Sequence, residues 1–276
     1  MIFTYNRWDE FCKNLVKRGL KSIPTKEITT TVCQYIVLKH DVETDVTKAY
    51  KLATIEHKYG HRGSYYVQAY LMHDEKNILM LREMQEMGHE ISYHYDVMDS
   101  CKGDLNKAIS EFSDNKQLFE KNGFIIETVC QHGNPVVERV GYTSNRDFFR
   151  SEKVRGLYPG IKDVMVNLKK NVPTEYIYFS DAGRKFKMIY DPLNNDIINS
   201  DDKNIAYDDL NAVLGALSTE SGNIISTHPH RWCGSATIYL AKTYAFKLIR
   251  STAKMVMHVP GVKKIMSRYY YLAKKI

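Results

Sequence analysis

The chain has 276 residues, of which 43% are hydrophobic and 26% are charged, and its formal net charge is +7. This composition is that of a globular protein and excludes an intrinsically disordered chain. The five cysteines form no C-x-x-C pair, which argues against a disulfide framework and favours a reducing compartment. The sequence shows neither a signal-peptide pattern nor an apolar run of ~18 residues, so we expect a cytoplasmic protein.

The positive charge is concentrated at one end of the chain. Residues 236–276 contain nine Lys or Arg and no Asp or Glu, so this segment carries +9 and the remaining residues carry −2. Its apolar spacing predicts amphipathic helices. The favoured interpretation is that they pack on the body with a basic face in solvent. The alternative is that they bind an anionic membrane surface at the inner face of the membrane. Specific nucleic-acid binding is not predicted, since no reading motif accompanies the charge.

Predicted helices and strands alternate along the chain. Helices are expected at Trp8–Arg18, Thr47–Tyr59, Ile78–Met87, Leu105–Lys121 and Asp208–Leu217, and strands at Tyr35–Leu38, Ser64–Ala69, Glu90–Tyr93, Phe124–Cys130, Tyr176–Phe179 and Asn223–Ser226. Residues 136–171 are less regular. Such alternation is typical of an α/β fold with a parallel sheet. We therefore expect an N-terminal helix and connector (1–33), an α/β domain (34–235) and a helical tail (236–276).

Polar side chains follow five of the predicted strands. These segments are His40-Asp41-Val42-Glu43, His94-Tyr95-Asp96, Gln131-His132-Gly133, Ser180-Asp181 and Thr227-His228-Pro229-His230. In parallel α/β folds, reactive groups gather where strands end and loops begin. The sequence therefore predicts one functional site that these five segments share.

The residue types at these strand ends suit metal-assisted hydrolysis. Glu43, His94 and His132 supply one carboxylate and two imidazoles, a set that binds Zn²⁺ and leaves a coordination position open. Amide cleavage also needs a base and an acid, and Asp41 with His228 or His230 can supply them.

Simpler interpretations of the same residues are open. Asp41 and Glu43 also resemble the acidic start of a helix. His94 could be hydrogen-bonded to Asp96, and His132 could be an ordinary loop histidine. Asp181 and Arg184 could form a surface ion pair.

Four segments together resemble the polysaccharide deacetylase superfamily, also called carbohydrate esterase family four. They are LKHDVE (38–43), GHEISYHYD (88–96), CQHGNP (130–135) and STHPHRW (226–232), and the resemblance covers residues 34–232. It implies a distorted (β/α) barrel that uses a divalent metal, often zinc, to hydrolyse N-acetyl groups on sugars.

The resemblance also assigns roles to individual residues. Asp41 matches the general base, Glu43 a metal-binding acid, and His94 the first metal-binding histidine. His228 matches a late histidine that protonates the leaving amine or steadies the oxyanion. Asp181, with Arg184 three residues on, resembles a later motif that tunes the acid–base pair.

Two positions depart from the family pattern. The family places a second histidine where this chain has Met98, so we expect His132 to supply the third ligand. The motif that normally brings an arginine is QHGNP here.

Three functions follow from these patterns. The first is a metal-dependent N-deacetylase acting on a sugar of a cell-envelope or surface polysaccharide precursor. The second is a weakly active or inactive barrel that binds glycan or scaffolds a biosynthetic complex. The third is metal-assisted hydrolysis of another amide or ester.

Overall fold

The computed structural model describes residues 1–29, 34–134, 137–168, 176–181, 186–189 and 205–256. The strands are β1 (Ile36–Val42), β2 (Ser64–Val67), β3 (Glu90–Tyr95), β4 (Thr128–Gln131), β5 (Lys162–Asp163), β6 (Tyr176–Ser180), β7 (Phe186–Ile189), β8 (Ile205–Tyr207) and β9 (Gly222–Thr227). They form one sheet in the order β5-β4-β3-β2-β1-β9-β6-β7-β8. The strands from β5 to β6 in this order are parallel, and β7 and β8 are antiparallel to their neighbours.

Helices cover the outside of this sheet. They are α1 (Tyr5–Lys17), α2 (Val46–Lys58), α3 (Glu75–Glu86), α4 (Val97–Ser100), α5 (Leu105–Lys121), α6 (Asp147–Arg150), α7 (Glu152–Leu157), α8 (Leu210–Gly215) and α9 (Ala236–Val256). Four of them, α2, α3, α5 and α8, begin after an aspartate whose side chain accepts a backbone N–H of the first turn, namely Asp45, Asp74, Asp104 and Asp209. Among the described residues, no helix combines the length and the hydrophobicity that a membrane span requires.

The sheet curls, and this curl creates an interior. β1 and β4 are three positions apart in the strand order, which in a flat sheet would separate them by about 14 Å. Nevertheless, a carboxylate oxygen of Asp41 on β1 and the Sγ atom of Cys130 on β4 lie within 4.8 Å of each other. The predicted α/β fold of the distorted-barrel type is confirmed. Within the described part of the chain, the sheet remains open, with β5 and β8 as its edges.

Strand residues alternate between the barrel interior and the helical layer. On β1, Val37 belongs to the interior apolar cluster, whereas Leu38 and Val42 pack with the helices. Lys39 and Asp41 therefore point into the interior, because a strand has a side-chain period of two. This alternation decides which polar residues can meet inside the barrel.

The N-terminal residues belong to the same core as the sheet. Trp8 on α1 is fully buried, and its indole N–H donates to Glu56 Oε1 at 2.9 Å. Its ring also packs edge-on against Trp232, with the ring centroids 4.9 Å apart. At the other end of the chain, α9 begins at Ala236 and Tyr239 packs against Phe3. Residues 257–276 of the predicted tail lie outside the described residues.

Three expectations about the elements need correction. The first strand does not end at Leu38 but continues to Val42, because Lys39, His40 and Asp41 all find polar partners inside the protein. The strand predicted from Phe124 is shorter and starts at Thr128. Residues 136–171, predicted to be irregular, include α6, α7 and β5. Both short helices and the two-residue strand are too brief to give a detectable sequence period.

Gly63, just before β2, occupies a position that has no room for a side chain. A Cβ atom there would lie 2.7 Å from the Leu38 carbonyl oxygen and 2.9 Å from Glu56 Oε2. Because the carbonyl belongs to a central strand, we expect Gly63→Ala to lower the free energy of unfolding by about 1–3 kcal/mol. Gly156→Ala in α7 is the control, since nothing lies within 4 Å of its Cβ position. Urea titration measures both, and equal stabilities for the two variants would contradict the steric argument.

Asp163 makes stability depend on pH in a direction opposite to that of most carboxylates. Burial raises the pKa of Asp163 from 3.8 to about 6. The folded chain therefore holds this proton more tightly than the unfolded chain, and stability falls as pH rises from about 4 to 6. The change corresponds to about 3 kcal/mol.

Asp163→Asn should remove this dependence while keeping the shape of the side chain. Relative to the variant, we expect the wild type to lose stability between pH 4 and 7 in urea titrations. Parallel stability profiles for the two proteins would show that Asp163 does not carry the effect.

Candidate functional site

Glu43, His94 and His132 meet at the carboxyl ends of β1, β3 and β4. One ligand atom of each lies within 4.8 Å of the other two, and all three residues are buried. His132 Nε2 is 3.1 Å from Glu43 Oε1, and the rings of His94 and His132 have centroids 5.2 Å apart. The three residues come together because the sheet curls there.

His94 carries the most direct sign of an absent partner. Its Nδ1 donates to the Cys130 carbonyl oxygen at 3.0 Å, which leaves Nε2 as the atom facing the site. Nε2 is buried and has no hydrogen-bond partner among the described residues. Burial lowers the pKa of His94 to about 3, although Asp41 opposes this, so the ring is neutral. A neutral imidazole with a buried, unused lone pair fits a divalent metal ion.

A second group of potential ligands shares His94 with the first. It consists of Asp41, His94 and Cys130. The environment of Asp41 argues against it, because Lys39 Nζ lies 2.5 Å from Asp41 Oδ1 and already neutralises that carboxylate. Burial also raises the pKa of the Cys130 thiol in the metal-free chain. The ion pair between Lys39 and Asp41 favours the set with Glu43.

Lys39 is itself held in place from several directions. Its side chain is 1% exposed, and Nζ also donates to Ser226 Oγ at 3.2 Å. The ammonium group lies 5.6 Å from the centroid of the Tyr66 ring. Burial alone would lower the pKa of Lys39, but Asp41 outweighs it and raises the pKa well above the usual value. Lys39 therefore remains charged and fixes Asp41 Oδ1, while Oδ2 is oriented towards His228.

His228 is held by a buried carboxylate. Its Nδ1 lies 2.5 Å from Asp181 Oδ1, and its backbone N–H donates to Asp181 Oδ2 at 3.0 Å. Burial would raise the pKa of Asp181, but Arg231 and His228 outweigh it and lower the pKa to about 2. His228 Nε2 therefore faces the site, 3.9 Å from Asp41 Oδ2 and 3.9 Å from Glu43 Oε1. This arrangement can place a proton donor beside a carboxylate base.

His230 also faces Glu43 but in a different setting. Its Nδ1 lies 3.9 Å from Glu43 Oε2, and its backbone carbonyl accepts a hydrogen bond from Lys48 Nζ. Burial lowers the pKa of His230 well below 6.5, although Glu43 opposes this. We call the opening lined by Asp41, Glu43, His94, His132 and His228 the mouth. Of the two histidines in the HPH segment (228–230), His228 has the geometry of an acid–base group, and His230 lies beside the mouth.

The other residues predicted from the sequence occupy different surroundings. Arg184 lies outside the described residues. Asp181 is fully buried and is not part of a surface pair; Arg231 Nη1 donates to its Oδ1 at 2.7 Å. Met98, at the position of the family's second histidine, is buried in the apolar cluster beneath the helices. Asp96 is partly exposed, and its Oδ2 is 4.0 Å from His132 Nδ1.

Sequence reasoning missed four polar residues around the site. Lys39 and Cys130 each lie two residues before a predicted site residue, and the period of two in a strand could have placed both in the interior. Arg231 directly follows the HPH segment. Glu56 gave no signal, because it lies in the middle of α2.

Glu56 joins several buried groups behind β1. Its Oε1 lies 2.8 Å from His40 Nε2, and its Oε2 accepts the Tyr65 hydroxyl at 2.9 Å. On the other side of the His40 ring, Nδ1 is 2.7 Å from Thr227 Oγ1. Glu56 thereby contacts His40, the residue before Asp41, and through His40 it is linked to Thr227, the residue before His228.

No protein-family model matches the chain, and no curated protein matches it. Among solved structures, the chain is similar to a family 4 carbohydrate esterase from Streptomyces lividans in complex with acetate. The two share 16% sequence identity over 78% of this chain and 91% of the esterase chain, with a TM-score of 0.44.

Metal binding can distinguish the two potential ligand sets. We expect chelator-treated wild-type protein to bind one Co²⁺ or Zn²⁺, and His94→Ala and His132→Ala to weaken that binding by at least about 100-fold. Cys130→Ser should leave affinity unchanged. Isothermal titration calorimetry and the visible absorption of Co²⁺ measure this.

His57→Ala, on the surface of α2, is the control for loss of a histidine. Retained affinity in His132→Ala together with loss in Cys130→Ser would assign the ion to the set containing Asp41 instead.

Proposed function

We propose that the protein is a metal-dependent hydrolase that removes the N-acetyl group from a sugar of a cell-envelope or surface polysaccharide precursor. The observation that supports this proposal is that the potential metal ligands and the acid–base pair lie together in the mouth. Three ligand atoms of Glu43, His94 and His132 lie within 4.8 Å of one another, and the facing atoms of His228 and Asp41 are 3.9 Å apart beside them.

Glu43, His94 and His132 are the residues that would hold the metal. When bound, a divalent ion supplies Lewis-acid polarisation of an amide carbonyl and makes water more acidic. The chain itself contributes two imidazoles and one carboxylate, the N/O donor set typical of catalytic zinc sites.

Asp41 is proposed as the general base. Lys39 occupies Oδ1, so Oδ2 is the oxygen that faces the site. Burial opposes ionisation of Asp41, but Lys39, His94 and His228 lower its pKa, which keeps the carboxylate ionised at neutral pH. Oδ2 can therefore take the proton that an attacking water molecule loses.

His228 is proposed as the general acid. Asp181 accepts a hydrogen bond from the Nδ1–H of His228 and stabilises the imidazolium, in which Nε2 carries the second proton towards the site. Cleavage of a C–N bond requires protonation of the departing nitrogen, since an amine leaves as a neutral molecule. His228 Nε2 can deliver that proton, and Arg231 keeps Asp181 ionised throughout.

Turnover on a panel of N-acetylated saccharides tests the proposal. With Zn²⁺ or Co²⁺ restored, we expect release of acetate and a free amine. Asp41→Asn and His228→Ala should each lower kcat by about 10²–10⁴-fold, the usual contribution of a general base or acid. Asp114→Asn, an exposed carboxylate on α5, should match the wild type.

The panel also separates the alternatives. O-acetylated sugars and non-sugar amides belong in it, and preferential turnover of one of these would change the substrate class. Saccharide binding without turnover on any compound, with Asp41→Asn indistinguishable from wild type, would replace the hydrolase by a glycan-binding barrel.

A further inference from the structure

An open cavity of about 430 Å³ lies next to the mouth. Its wall is formed by the start of α2, the segment that follows His230, and the start of α9. Lys48, Lys51 and Lys242 reach it from these elements. Because α2 begins just after β1 ends, the cavity opens on the same face of the barrel as the mouth. We call it the lysine cavity.

Charge in the lysine cavity is positive. Its lining contains three ammonium groups and one carboxylate, Asp45. Asp45 is engaged in capping α2, where it accepts the backbone N–H of Lys48 at 3.2 Å. Lys51 extends over the Tyr5 ring, with its Nζ 5.5 Å from the ring centroid. Positive charges thus outnumber negative charges in the lining, which favours an anion.

A buried indole forms part of the wall of the lysine cavity. Trp232 lines the lysine cavity and is fully buried. Its Nε1 has no hydrogen-bond partner among the described residues.

His230 links a lysine of the cavity to the mouth. The imidazole of His230 faces Glu43, with Nδ1 3.9 Å from Oε2, and its backbone carbonyl accepts a hydrogen bond from Lys48 Nζ at 2.5 Å. A ligand that occupies both places must therefore carry its anionic group close to the group that reacts.

We propose that the lysine cavity binds the phosphate of a glycosyl phosphate or diphosphate whose N-acetylated sugar occupies the mouth. The assignment of the sugar rests on the function proposed above. A phosphate and an acetamido group on the same sugar ring are separated by only a few bonds, which matches a lysine cavity and a mouth that both adjoin His230. Nucleotide-linked and lipid-linked sugars share this phosphate.

Anion binding is measured first, without catalysis. Metal-free wild-type protein is titrated with pyrophosphate by calorimetry in the presence of a chelator, so that the metal ligands do not contribute. We expect Lys51→Gln and Lys242→Gln each to weaken binding roughly tenfold, the effect of losing one charge-assisted hydrogen bond. Lys107→Gln, an exposed lysine on α5, should bind like wild type. Absence of pyrophosphate binding, or equal binding in all four proteins, overturns the proposal.

Kinetics then connect the lysine cavity to the substrate. The same N-acetylated sugar is assayed as the free saccharide, the 1-phosphate, the nucleotide diphosphate sugar and the polyprenyl diphosphate sugar. In Lys51→Gln and Lys242→Gln we expect KM to rise for the phosphorylated forms, with kcat and the turnover of the free saccharide unchanged. The form with the lowest KM in wild type identifies the source of the phosphate.

The two proposals fail in different ways. If turnover is the same with and without a phosphate on the sugar, and both lysine variants match the wild type, only the proposal for the lysine cavity is overturned. If pyrophosphate binding depends on both lysines but no sugar is turned over, the cavity remains an anion site. The hydrolase proposal is then overturned.

Discussion

The buried ion pair between Lys39 and Asp41 is the interaction on which the mouth depends. Both residues lie on β1 and point into the barrel, where neither charge could remain without the other. The pair fixes one oxygen of Asp41 and leaves the other for chemistry. For the proposed metal site it also favours Glu43 over Asp41, because a carboxylate already neutralised by a lysine is a weak competitor for a cation.

The other buried carboxylates at the mouth also lie beside groups that can balance their negative charge. Asp181 has Arg231 and His228, whereas Glu43 lies among imidazoles, 3.1 Å from His132 and 3.9 Å from His228. Imidazoles can be neutral, whereas Asp41 and Asp181 each lie beside a permanent cation. Glu43 is therefore the carboxylate best suited to bind a divalent ion. The three acids are chemically similar, and their different neighbours support the three different roles proposed for them.

Behind the mouth, a second layer of buried polar groups keeps the strand ends in register. Glu56 contacts Trp8 of α1, Tyr65 of β2 and His40 of β1, and His40 in turn meets Thr227 of β9. A buried carboxylate with this many partners is costly to disturb, because each partner would lose its hydrogen bond. The precision of the mouth therefore depends on residues in α1 and α2 as well as on the strands.

The sequence by itself determined the alternation of strands and helices and the placement of Asp41, Glu43, His94, His132 and His228 near strand ends. Both follow from local periods and from the fact that parallel strands end at one edge of a sheet. Its motifs also predicted His132 as the third metal ligand in place of Met98, and this stays a prediction.

Only the tertiary structure decided which of these groups meet and what charge each carries. The curl of the sheet brings β1 and β4 together, and no local pattern encodes that distance. Lys39 as the partner of Asp41, Arg231 as the partner of Asp181, and Glu56 behind His40 all join residues through the barrel interior or the helical layer. Such pairings depend on burial and on contacts between distant segments, so the sequence named the chemical groups and the fold assigned their roles.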